Sequence, residues 1–197
     1  GDELMAVFHY KTRNVIRKSH KVGVNCRESD DLQDLMYLAQ IHRANLAAKG
    51  GIWKTKACFE SISRMFDYGR DYRLYIADLE GQRIGALMVL FYNKTVEYYC
   101  PATDLEYRSY QSNSSLIFEA MKCAVEQGYR YWNWGGTWAS QEGVYDFKKR
   151  WGTRDHKYRY YTIVHQDASH IMSMSRQEIL KQYPHFYVIP FAQLVEN

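Results

Sequence analysis

One stretch restricts the fold more than any other: Tyr131-Trp-Asn-Trp-Gly-Gly136, a short loop, and the run Val144 to Trp151. Tyr131 to Trp134 is rich in aromatic residues and reads as a short strand. Gly135 and Gly136 break it, because paired glycines admit backbone angles and close approaches that other residues refuse. Gly143 precedes a short helical run. In that run Val144, Phe147 and Trp151 share one face at helical spacing, while Lys148, Lys149 and Arg150 crowd the others. A strand, a glycine pair, a loop and a lysine-bearing helix place a cation beside a cleft at a strand's end. The same residues also fit a tight strand-to-helix turn followed by a solvated basic helix.

That strand needs a sheet to join, and the chain is long enough to supply one. Its 197 residues fit one domain, or a domain with an appendage. A content of 46% hydrophobic and 24% charged residues argues against disorder. The 18 tyrosines offer apolar bodies with polar tips, which suit half-buried strands and wet clefts alike. A net charge of +4 favours an anionic partner without demanding nucleic acid. Cys26, Cys58, Cys100 and Cys123 are widely spread, with no C-x-x-C pair and no Cys/His cluster at zinc spacing. No metal is expected, and reduced thiols fit a cytoplasmic protein. No run approaches the ~20 apolar residues of a membrane helix, and no signal peptide opens the sequence.

Taken in order, the chain alternates helix and strand signals. Lys11 to Lys21 is a basic run with no acid between Glu3 and Glu28. Arg13 and Arg17 share a helix face, either as an anion clamp or as part of a solvated surface. Val22 to Arg27 reads as a strand. Asp30 or Asp31 then starts a helix carrying Leu35, Leu38 and His42, the last expected as a partly buried helix residue. Trp53 to Tyr68 is a second helix. Arg73 to Asp78, Arg83 to Tyr92 and Thr95 to Cys100 form an antiparallel meander, turned at Glu80-Gly81 and Asn93-Lys94 and stopped by Pro101. Gly85 marks a bulge or a close backbone contact. Thr103 to Asn113 is a polar loop, and Ser112 or Asn113 caps a helix from Ser114 to Gln127. After the focal strand and helix, Lys157 to Val164 reads as a last strand. Ser175 and Glu178 form a capping box for a short helix, and Phe186 to Leu194 is an apolar docking tail. The expected fold is α/β (α+β), a mixed, mostly antiparallel sheet flanked by helices. Such a sheet can splay, and so admit a ligand, near Ser114 and where the strand at Trp134 ends.

This order resembles the GNAT acyltransferase fold. Three stretches are more specifically similar to the second domain of the Fem-type peptidoglycan-bridge aminoacyltransferases. They are Lys11 to Gly23, Tyr107 to Leu116 with its helix, and Trp132-Asn-Trp-Gly-Gly-Thr137 with Gly143 to Gly152. Residues 1–165 are then the GNAT-like domain, and residues 166–197 its C-terminal helix and docking tail. The resemblance implies acyl transfer to an amine of a cell-wall or surface-polysaccharide precursor. It implies an aminoacyl-tRNA or an acyl thioester such as acyl-CoA as donor, with no tightly bound cofactor. It places Phe147 and Lys148 at the catalytic Phe-Lys pair, with the lysine handling the donor's charge or the tetrahedral intermediate. Arg13, with Lys11 and Arg17, matches a basic helix that grips acceptor phosphate. Arg108, Trp134, Gly135 and Gly136 complete the substrate-binding set. The partners implied are a phosphate-bearing acceptor and tRNA, at a cytoplasmic site peripheral to the inner membrane face.

Two departures bear on this. Fem-type enzymes carry two such domains, and this chain has room for one, as an excised half or a minimal relative would. GNAT enzymes that use acetyl-CoA carry Arg/Gln-x-x-Gly-x-Gly/Ala before the corresponding helix; here the loop is Arg108-Ser-Tyr-Gln-Ser-Asn-Ser114, without glycine. Lys148 is the candidate to stabilise an oxyanion, and the backbone N–H groups of Gly135 and Gly136 are candidates to face the same oxygen. Tyr145, Glu142 and Asp146 lie near in sequence, but none stands out as a general base, and substrate-assisted proton loss is an alternative. No Ser-His-Asp or Cys-His signature points to a covalent intermediate. A non-catalytic anion-binding module and an RNA-binding domain are the rival readings.

Overall fold

The computed structural model describes residues 1–137, 141–159, 161, 163, 167 and 169–182. They fall into two compact units, Gly1–Arg154 and Asp155–Asn197. The first unit is built on a five-stranded sheet whose strands lie in chain order: β1 (Asn25–Ser29), β2 (Tyr72–Leu79), β3 (Gln82–Tyr92), β4 (Thr95–Thr103) and β5 (Tyr131–Asn133). The first four run antiparallel and β5 runs parallel to β4. A mixed sheet flanked by helices is the expected fold class.

Two hairpin turns set the register. Glu80 and Gly81 both take positive φ, 51° and 82°, and Leu79 pairs with Gln82 across them. Such a two-residue turn matches the twist of the strands it joins. Strand alternation then sends Tyr75 and Ala77 to one face, and Leu74 and Ile76 to the other. Helices α2 (Tyr10–Lys21) and α5 (Ser112–Glu126) cover the first face, where Ile16, Leu116 and Ile117 meet Leu87, Val89 and Val96. Helices α3 (Leu32–Ala47) and α4 (Lys56–Met65) cover the second, where Leu38 and Phe59 meet Ile76 and Met88. Because β3 is covered on both sides it is apolar almost throughout. Each fully buried Leu or Ile contributes about 1.5–3 kcal/mol over exposure.

Both readings of Gly85 hold. β2 and β3 shift register beside it, and a Cβ placed there would lie 2.8 Å from Ser112 Oγ. Helix α5 therefore starts against bare backbone. Gly85→Val should destabilise the fold by about 1–3 kcal/mol through overpacking, read as a lowered midpoint in denaturant titration.

Several expectations change. Asp2–Val7 forms a short helix, α1, where the sequence was silent. The second helix starts at Lys56 rather than Trp53, because Thr55 caps it by accepting from the Cys58 amide. The polar loop contains a 3-10 turn over Leu105–Tyr110. Helix α5 begins at Ser112, after Gln111 in a left-handed conformation, with no side-chain cap. Pro101 does not stop β4: it pairs in register with Leu87 and the strand continues to Thr103. Proline is tolerated there because β5 pairs only with Thr95–Glu97, so among the described residues the outer side of β4 beyond Glu97 is an edge. Lys157, Tyr158, Arg159, Tyr161 and Ile163 are not in a strand, and Tyr160, Thr162 and Val164 lie outside the described residues. The Phe186 to Leu194 tail also lies outside them.

In the second unit, α7 (Ser169–Met172) and α8 (Arg176–Gln182) pack Met174 and Ile179 together. The capping box forms as expected: the Ser175 amide donates to Glu178 Oε2 at 2.8 Å, and the Glu178 amide donates to Ser175 Oγ at 3.3 Å. Among the described residues no helix is long and apolar enough to cross a membrane.

Candidate active site

The site lies where β4 and β5 part. The two strands pair over three residues, Thr95 with Tyr131, Val96 with Trp132 and Glu97 with Asn133. Beyond that point β4 runs on to Thr103, while β5 ends and gives way to Trp134, Gly135 and Gly136. β4 also carries a bulge here: Val89 pairs with Tyr98 and Met88 with Cys100, which leaves Tyr99 without a partner on β3. The sheet splays as the sequence suggested.

Helix α6 (Glu142–Lys149) brings Lys148 to this parting. Its Nζ donates to Gly136 O at 3.0 Å, to Thr137 Oγ1 at 2.9 Å and, more weakly, to Gly135 O at 3.4 Å. The ammonium thus folds back over the glycine loop rather than into bulk water. The glycines serve it through their carbonyls. That corrects the expectation of an amide cradle at Gly135, whose N–H donates to Asn133 Oδ1 at 3.0 Å. Gly135 takes φ 66°, a conformation that favours glycine.

Asn133 links this loop to a residue that sequence reasoning missed. Its Nδ2 donates to Glu97 Oε2 at 2.6 Å. Burial pushes the Glu97 carboxyl above its usual range, opposed by the Asn133 hydrogen bond and the charge of Lys148. Burial in turn lowers the Lys148 ammonium, opposed by Glu97. A carboxylate and an ammonium of shifted pKa, linked through the Asn133 side chain and the Gly135 backbone at an opened strand pair, can remove a proton and stabilise negative charge. A glutamate in the run Thr-Val-Glu-Tyr-Tyr-Cys reads as a solvent-side strand residue. Only the β4–β5 register sets it opposite Asn133.

Aromatic packing fixes α6 in place. Trp134 lies with ring centroids 5.0 Å from Tyr98, 6.0 Å from Phe147 and 5.6 Å from Trp151. Phe147 packs edge-on against both tryptophans. It offers no polar atom, so its place is that of a positioning side chain beside Lys148. Trp151 is buried against Phe8, and the His9 amide donates to Arg150 O at 2.8 Å, tying the start of α2 to the end of α6.

Trp134, Gly135, Gly136, Phe147 and Lys148 therefore gather at one place. Arg13 is attached to it indirectly: its Nη1 donates to Phe8 O at 2.6 Å, which commits part of the guanidinium to the chain itself. Lys11 and Arg17 are exposed on α2, without an ion pair among the described residues. Arg108 is exposed in the 3-10 turn, where its carbonyl accepts from the Gln111 amide. None of these three touches the Lys148 cluster. Among the described residues no group of His, Cys, Asp or Glu is arranged to hold a metal ion.

A family model described as an acetyltransferase (GNAT) domain matches residues 7–149. The chain belongs to the GNAT acetyltransferase family. No curated protein sequence matches it. Among solved structures it is similar to FemX, at 20% identity and a TM-score of 0.70, over 78% of this chain and 56% of that one. The chain thus spans little more than half of FemX. It is also similar to an aminoglycoside acetyltransferase from an uncultured soil metagenomic sample in complex with sisomicin. That match has 16% identity and a TM-score of 0.54, over 72% of this chain and 97% of that one. A transcriptional regulator from Bacillus halodurans C-125 matches at 18% identity and a TM-score of 0.55, over 71% and 99% of the two chains. At these identities the structural likeness is one of fold. The matched region of the GNAT domain runs from α1 through the last residue of α6.

Proposed function

We propose that this GNAT domain transfers an acyl or aminoacyl group to an amine of a phosphate-bearing cell-wall or surface-polysaccharide precursor. The observation that carries the reading is the Glu97–Asn133–Gly135–Lys148 constellation at the parting of β4 and β5. Glu97 takes a proton from the acceptor ammonium, directly or through a water. The neutral amine attacks the acyl carbonyl carbon and forms the C–N bond. Lys148 exchanges one of its loop acceptors for the oxyanion that develops, at little cost because the ammonium is already held in place. Collapse breaks the bond to the leaving oxygen or sulfur, which takes up the released proton. Phe147, Trp134 and Trp151 hold Lys148 in position.

The donor is an aminoacyl-tRNA or an acyl-CoA. The N-terminus of α5 carries no side-chain cap, and uncapped N–H groups favour a phosphate there. The Fem-like reading of the acceptor draws on the likeness to FemX and on the exposed basic side chains of α2, Lys11 and Arg17. It also fits a cytoplasmic protein working at the inner membrane face. A mass assay tests it. Offered amine acceptors with aminoacyl-tRNA in one tube and acetyl-CoA in another, the protein should add one acyl mass to an acceptor in one of them. Binding of a phosphate-bearing acceptor with no mass added by either donor would favour a non-catalytic module instead. That reading has one observation on its side, since every N–H of the Lys148 ammonium is matched by a loop acceptor.

A further inference from the structure

The second feature of the β4 edge is a cation with no counter-charge among the described residues. Lys54 lies in the segment between α3 and α4, and its Nζ sits 4.8 Å from the centroid of the Tyr99 ring. Tyr99 is the bulge residue of β4. No carboxylate lies within ion-pair distance of Lys54 among the described residues. An ammonium held on an aromatic face and left unneutralised is a site prepared for an anion.

The segment is held firmly. The Lys54 amide donates to His42 Nε2 at 3.3 Å, and His42 Nδ1 lies 3.4 Å from Cys100 Sγ. Accepting at Nε2 requires neutral His42 with its proton on Nδ1, so the Cys100 sulfur receives that proton. Burial and the charge of Lys54 both lower the His42 pKa, which keeps the ring neutral. Arg43 lies over Trp53, 5.4 Å from the ring centroid, and fixes the neighbouring residue. The groups facing Lys54 include His42 on α3 and Tyr99 with Cys100 on β4, and burial keeps all three uncharged near neutral pH.

Position along the strand gives the geometry. Val96 and Tyr98 pack toward α2 and α5, and Tyr99 packs toward α3 and α4. Alternation puts Glu97 on the same side of β4 as Tyr99. The two residues are about 7 Å apart along the strand. We propose that Lys54, seated on Tyr99, is the anion-reading half of the acceptor subsite, so that the acceptor carries a carboxylate as well as its reacting amine. This rests on the placement of the amine at Glu97 in the proposed function.

Calorimetric titration without any acyl donor tests the subsite, with 6-aminohexanoate and 6-aminohexanamide as a matched pair. The unmodified protein should bind the carboxylate roughly tenfold more tightly than the amide. Lys54→Gln should erase the difference, and Lys54→Arg should retain most of it. His42→Gln should weaken only the carboxylate. Equal binding of the two probes, no binding of either, or a preference that survives Lys54→Gln would overturn the proposal. The titration needs no turnover, so the two readings fail separately. A carboxylate preference with no acyl mass gained in the transfer assay removes the enzyme and leaves the subsite.

Discussion

Lys148→Ala is expected to lower acyl transfer by about 10²–10³-fold, the usual cost of removing one donor to a developing oxyanion. The loss should fall on kcat, with the KM of the acceptor nearly unchanged, because the ammonium acts on charge that exists only in the transition state. The same side chain also pins the loop through Gly135, Gly136 and Thr137, so a structural effect has to be separated from a chemical one. Thr137→Val supplies the control. It removes one of the three acceptors, leaves the ammonium on the two carbonyls and should keep turnover within a few-fold of the parent. If loop fixation were the whole role of Lys148, the two variants would lose activity together. Lys148→Arg should not restore the rate, since a planar guanidinium cannot reproduce a compact ammonium that turns its protons toward three converging acceptors. Turnover that persists undiminished in Lys148→Ala would remove the lysine from the chemistry.

The elements that were legible in the sequence are those fixed by local rules. Asp31 caps α3, Gly81 and Asn93 turn the hairpins, and Ser175 with Glu178 opens α8, each by chemistry that operates within a few residues. The glycine pair and the lysine helix were legible for the same reason. What the sequence hid depends on pairing between distant segments. Pro101 was read as a terminator because proline usually ends strands, yet among the described residues no strand pairs with the outer side of β4 at that point. Glu97 was passed over because its partner Asn133 is distant in sequence. The arginines and lysines of α2 stood out as a one-signed run, but charge counting could not show that Arg13 spends a hydrogen bond on Phe8 O while Lys11 and Arg17 stay in solvent. The glycine-free loop before α5 was read as departing from the CoA motif. There Gln111 takes φ 60°, so the turn is left-handed without glycine.

Glu97→Gln carries the other large expected effect. A glutamine keeps the size and can still accept from Asn133, but it cannot take a proton, so the rate should fall by about 10²–10⁴-fold if Glu97 is the general base. The parent's pH profile should show an acidic limb that follows Glu97. Because burial raises the folded-state pKa of this carboxyl, the limb should lie above the pH at which an exposed glutamate titrates. The variant's residual rate should lack that limb. Stability should change in the opposite sense. A carboxyl whose folded pKa is raised binds protons more readily in the native state, so its contribution is fully present below the unfolded pKa and is lost as pH rises through the folded one. Denaturant titration of the parent should therefore show a loss of stability across that window that is missing in Glu97→Gln. A variant that keeps the parent's acidic limb would assign it to another group, and proton removal would pass from Glu97 to the substrate itself.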